Sequence, residues 1–278
     1  MQPDEKRSPR RRHVRHREYH LDMTTGKRPA DVSDEDVLEA MDELSAIWKS
    51  WVDAGTVVLN PRPEFQKTEP QAHMIVTLTT HLFQQATTIR PYLPSDLPIT
   101  MIPVVRAALE TGLWVIWIDR YANAAEAAMN RSEHQRRSLV RTLNDSSLIP
   151  LELGKLELDE WTDLETDVGP QAKSLEQMAK ALGLIDLYAL YRMYSSVSHP
   201  GIDLVDAYLL DREDGSVRYR TQAIPDFRSG ITTRILPPLL LKSARIVNQM
   251  SRDRDRRRDL HRVAKKLNVQ LDRFWTQG

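Results

Sequence analysis

From residue 102 to residue 121 almost every position is apolar, and Val104, Val105, Leu109, Leu113, Trp114, Val115, Ile116 and Trp117 are distributed all the way round a helix. A helix with no polar face must be enclosed by other elements, so the rest of the chain has to fold around this one. Pro103 suits its first turn, where a backbone N–H would have no partner. Arg106 and Glu110 interrupt the apolar run of residues 101–118, which argues against a membrane span. Four residues apart, these two charges leave two readings open. They form an intrahelical ion pair at the helix edge, or they face a polar pocket together.

The flanking segments carry helical patterns suited to covering that centre. Ser-Asp-Glu-Asp at 33–36 resembles a capping box, with Asp36 placed to reach back to Ser33. Val37, Met41, Leu44, Trp48 and Trp51 then recur at steps of four and three, and Gly55 ends the helix. Prolines make 56–70 an extended connector. A second helix is expected over 71–90, with Met74, Leu78, Leu82, Ala86 and Ile89 inward. Pro91, Pro94 and Pro98 separate it from the apolar helix. The alanine-rich stretch 122–143 reads as its helical continuation, and shorter helices are expected at 155–167, 170–182 and 185–198. Residues 207–211 and 217–221 flank a turn sequence containing Gly215, which predicts one small β-hairpin. A last helix is expected over 236–274, with Pro237 and Pro238 in its first turn. The class is all-α, a helical bundle with one small hairpin. It forms a single domain over 31–278 behind a disordered basic arm at 1–30.

Composition excludes several chemistries. The 278 residues contain no cysteine, so there is no disulfide framework, thiolate metal site or cysteine nucleophile. Ten glycines without a G-x-G-x-x-G or Walker pattern argue against a dinucleotide or P-loop cradle. His13, His16 and His20 are spaced like ligands but lack supporting carboxylates, so no metal and no cofactor is expected. No apolar export segment follows Met1, and the chain reads as cytoplasmic. The net charge of zero hides an asymmetry. Residues 1–30 and 251–278 each hold 9 Lys/Arg against 4 Asp/Glu, leaving 21 basic and 31 acidic residues for 31–250. Basic ends of this kind either contact nucleic acid or solubilise an acidic body. Asp253-Arg-Asp-Arg-Arg-Arg-Asp-Leu-His reads first as a solvated, salt-bridged helix face.

The most pointed chemistry lies in Leu190-Tyr-Arg-Met-Tyr-Ser-Ser-Val-Ser-His-Pro-Gly201. Arg192 and His199 are two helical turns apart, with Ser195 and Ser196 between them on the same face. Leu187, Leu190, Tyr194 and Val197 form the opposite, packing face. A fixed cation, hydroxyls and an imidazole in one line can hold a phosphodiester and move a proton near neutral pH. The competing reading is structural. Pro200-Gly201 stops the helix, and a histidine in a last turn is favoured by the macrodipole alone.

An arginine, six residues and a histidine at a helix end resemble the R-x(4–6)-H motif of the HEPN superfamily, although Met193 stands where HEPN nucleases usually carry a polar residue. The resemblance implies an all-helical fold, metal-independent RNA cleavage, and a homodimer that pairs two motifs. Many such proteins act in toxin or phage-defence systems. It also implies Arg192 and His199 as the catalytic pair, with Ser195 or Ser196 and Glu110 supporting. Val105-Arg-Ala-Ala-Leu-Glu110, taken with Tyr191-Arg-x-x-Ser195-x-x-x-His-Pro, is further similar to an uncharacterised bacterial family of helical proteins over about 101–201. Arg106 and Tyr191 join the supporting set. The expected function is RNA binding or metal-independent endoribonuclease activity, with the basic ends as phosphate contacts. The alternative is a non-catalytic helical interaction module.

Overall fold

The computed structural model describes residues 32–55, 59–146, 158–211, 217–223, 228–253 and 255–269. The 1–30 arm, its three histidines and the hairpin turn with Gly215 lie outside them.

The first helix, α1 (Asp34–Asp53), begins at the expected cap. The Asp36 backbone N–H donates to Ser33 Oγ at 3.1 Å, and Ser33 Oγ donates to the Asp36 carboxylate at 2.6 Å. α2 (Glu69–Ile89) starts two residues earlier than its apolar pattern suggests, because Thr68 and Gln71 form a reciprocal capping box. The apolar helix is α3 (Ile102–Arg120), and Leu113, Val115, Trp117 and Ile118 are completely buried. It packs against α2 on one side and against the later helices α7 (Ile185–Ser198) and α9 (Ser229–Met250) on the others. By length and composition, 99–120 is also the one stretch among the described residues that could cross a membrane.

Four expectations about the elements need correction. The helix at 102–121 does not run on without interruption. Tyr121 adopts an extended conformation (φ −114°, ψ 131°) and separates α3 from α4 (Ala124–Asn144). No helix forms over the described part of 155–167. Residues 158–166 run as irregular chain along α4, where Asn130 holds Leu164 by donating to its carbonyl and accepting from its N–H, both at 2.8 Å. The segment 170–182 divides into α5 (Gly169–Ala172) and α6 (Leu175–Leu182), because Ser174 turns extended and caps the second piece. The C-terminal helix starts earlier and ends earlier than its prolines suggest. Pro237 and Pro238 lie inside α9, both buried, and a separate α10 (Arg257–Lys266) follows. Packing of Leu236, Leu239, Leu240 and Val247 in the core outweighs the lost proline N–H groups. A short α8 (Ile202–Ala207) follows the motif helix, and the hairpin pairs β1 (Leu209–Asp211) with β2 (Val217–Tyr219) antiparallel.

At the seam of α3 and α9 the Leu239 side chain lies directly over Gly112. A Cβ on Gly112 would stand 2.5 Å from a Leu239 methyl, so any larger residue would require Leu239 to shift.

Candidate functional site

The predicted motif helix forms as expected, from Ile185 to Ser198. Leu187, Leu190, Tyr194 and Val197 are buried, which fixes its rotation against α3. Tyr194 is fully buried and shares a 2.8 Å hydrogen bond with Thr232 Oγ1 in the first turn of α9. That anchoring turns Arg192 and Ser196 outward, and both are exposed. His199 is the first residue beyond the helix (φ −119°, ψ 150°) and is exposed as well. Arg192 lies on the exposed side of α7, and His199 follows the last residue of the helix, about 10 Å further along the axis. His199 makes no hydrogen bond to the helix's last carbonyls, so its side chain does not serve as a cap.

The serines are partly committed. Ser195 Oγ donates to the Tyr191 carbonyl at 2.8 Å, and Ser196 Oγ donates to the Met193 carbonyl at 3.0 Å. Their lone pairs remain open as acceptors, but their protons are used in back-bonding to the helix.

Arg106 and Glu110 are not an ion pair. Arg106 instead crosses to α7, where it donates to the Tyr191 hydroxyl at 2.5 Å and lies 4.7 Å from the ring centroid. Its Nε is buried without a hydrogen-bond partner among the described residues. Glu110 is half-buried and takes part in no hydrogen bond or ion pair with another described residue. The intrahelical pairing does not form, and Arg106 alone turns toward α7.

Tyr188 and Glu176 extend this surface and were not singled out from the sequence. The Tyr188 and Tyr191 rings stack with centroids 6.0 Å apart. Glu176 is bonded by Lys180 at 2.6 Å, and this contact lowers its carboxyl pKa, with Tyr188 and Arg192 contributing in the same direction. The row Arg106, Tyr191, Tyr188, Glu176, Arg192 therefore runs across α3, α7 and α6. Tyr188 and Tyr191, three apart on one helix, were the available signal. Among the described residues no group of three or more His, Asp or Glu side chains is arranged to hold a metal ion.

A family model described as a family of unknown function (DUF5677) matches residues 72–216, just over half of the chain, from α2 to the hairpin. No curated protein and no solved structure matches the chain.

Proposed function

We propose, on the premise that the chain belongs to the DUF5677 family, that the outer face of α7 is an RNA-binding surface and a metal-independent endoribonuclease site. The supporting observation is that Arg192 on α7 and His199 just past its end are both exposed, while Leu187, Leu190, Tyr194 and Val197 of the same helix are locked into the core. Neither side chain is consumed by packing or by capping. Arg192 would hold the phosphodiester oxygens through its planar fork and neutralise charge in the phosphorane. His199 would take the proton from the ribose 2′-hydroxyl or return one to the leaving 5′-oxygen. Ser195 and Ser196 can accept hydrogen bonds from the ribose. Tyr191, held by Arg106, fixes the adjacent surface, and Glu110 completes the supporting rim. The reaction needs no metal or cofactor, and the setting is cytoplasmic, in phage defence or a toxin system.

Single-stranded RNA incubated with the protein in excess EDTA should yield 2′,3′-cyclic phosphate ends. His199→Ala should slow cleavage by about 10²–10⁴, and Arg192→Lys should not rescue it, because a point charge cannot reproduce the fork. RNA that binds but stays intact would reduce the face to a binding surface. Absence of both binding and cleavage across salt concentrations would sink the reading.

One observation favours a second reading, a non-catalytic interaction module. Beyond His199 the chain exposes Ile202 (70%), Val205 (50%) and Tyr219 (80%) along α8 and the hairpin. Apolar groups gathered outside the core mark contact surfaces more often than isolated ones do. Sedimentation of the wild type against Ile202→Asp/Tyr219→Asp tests whether this surface pairs two copies, and monomers in both would remove the homodimer.

A further inference from the structure

We infer that Arg62, Arg252 and Arg257 form a binding cleft for a phosphate-type oxyanion, separate from the α7 face and independent of the reading given to it. The three arginines, with Asn60 and Asp253, line a cleft of about 350 Å³. They reach it from three places: the connector after α1, the chain leaving α9, and the first residue of α10. None of the three guanidinium groups has a carboxylate partner among the described residues. Elsewhere the arginines of the fold are commonly neutralised, as in Arg90–Asp42, Arg136–Glu133, Arg234–Asp34 and Arg262–Glu43. Counted against Asp253, the lining keeps an excess of two positive charges, which matches a dianion.

The cleft is built on a rigid base. Asn60 is buried, and its backbone N–H donates to the Met250 carbonyl at 2.7 Å. Its side-chain amide donates to the Gln249 and Ser251 carbonyls, and its Oδ1 accepts from the Arg62 N–H at 3.1 Å. Leu59 and Ser251 add a β-bridge, which binds the connector to the end of α9. On the other wall, Asn248 Oδ1 accepts from the Arg256 N–H at 3.2 Å and fixes the start of α10. The three arginines are therefore mounted on backbone held in place before any ligand arrives, which lowers the entropic cost of binding. The N-terminal end of α10 adds partial positive charge.

The lining also narrows the ligand class. It contains no aromatic ring on which a base could stack and little apolar surface, while guanidinium forks match the oxygens of a phosphate. The ligand is recognised through its phosphate, whether free or part of a nucleic-acid backbone. α9 has 22 residues, about 33 Å at the helical rise, and Tyr194 touches its first turn while the cleft lies past its last. The cleft and the α7 face are thus at opposite ends of one helix.

Calorimetric titration of the full chain with inorganic pyrophosphate, at fixed ionic strength, tests the assignment. Saturable binding should weaken about tenfold or more in Arg252→Gln, and likewise in Arg257→Gln. Arg120→Gln, an exposed arginine at the C-terminal end of α3 that does not line the cleft, should bind as the wild type does. All three changes are at exposed positions, and thermal melts check that the fold is retained. Displacement of pyrophosphate by a single-stranded oligonucleotide would identify the phosphate as a backbone one, and binding without displacement would identify a free anion. The assignment is overturned if pyrophosphate does not bind, or if Arg120→Gln weakens it as much as the cleft variants do. His199→Ala should leave this binding unchanged even where RNA cleavage fails, which keeps the two sites separable.

Discussion

The Arg106 guanidinium donates to the Tyr191 hydroxyl across the seam between α3 and α7, so the charge that interrupts the apolar helix is answered by the motif helix. Both side chains are half-buried, and the guanidinium also lies against the Tyr191 ring. Tyr191→Phe removes the acceptor but keeps the ring, and should cost about 0.5–1.5 kcal/mol. Arg106→Ala loses the cation–π contact as well and should cost more than Tyr191→Phe. Glu110→Gln should move the denaturant midpoint very little. A large loss in Glu110→Gln would show that the carboxylate is engaged after all.

Gly112 allows α3 and α9 to cross. Gly112→Ala would gain about 1 kcal/mol in helix propensity. The added methyl would meet both Leu239 methyls and its Cγ at 2.5–2.6 Å, and Leu239 is fully buried. Overpacking of this kind typically costs about 1–3 kcal/mol, so a net loss is expected. Thermal unfolding would measure it, and a stabilised variant would show that Leu239 moves freely.

Glu133 gives the fold a calculable acid response. Its carboxyl is held below the ordinary value of 4.5, first by the hydrogen bond from Arg136, with Arg137 adding to it and burial opposing. A carboxyl lowered in the folded state binds fewer protons there than in the unfolded chain. Its stabilisation is therefore complete above 4.5 and is lost as the pH falls through the depressed value. The wild type should lose stability faster than Glu133→Gln on acidification below 4.5, as read from urea midpoints at stepped pH. Parallel curves would exclude the linkage.

His199→Ala separates chemistry from folding. An exposed residue outside the helix with no side-chain hydrogen bond to another described residue should change stability by less than about 0.5 kcal/mol. A loss of about 1 kcal/mol, the usual value of a capping contact, would return His199 to a structural role.

The elements legible in the sequence were those whose information is local. The cap at Ser33, the apolar face of α1, the central place of α3 and the span of α7 follow from periodicity and capping chemistry within a few residues. But α3 is not buried all round: Pro103, Arg106, Glu110 and Trp114 leave one side partly exposed. The exposure of Arg192 was legible too, since it lies opposite Leu187, Leu190 and Tyr194. What tertiary structure decided was partnership and the fate of conformationally disfavoured residues. Pro237 and Pro238 are ordinary helix-start signals, and they were drawn into α9 because its burial against four other helices is worth more than two missing N–H groups. Arg106 found Tyr191 rather than Glu110, because a residue 85 positions away on a packed neighbour offered a better geometry than one turn of its own helix. Arg62 meets Arg252 and Arg257 only because Asn60 is hydrogen-bonded to the end of α9. Local pattern determines which face of a helix is buried, but which charges meet depends on contacts between segments far apart in the chain, where no sequence period reaches.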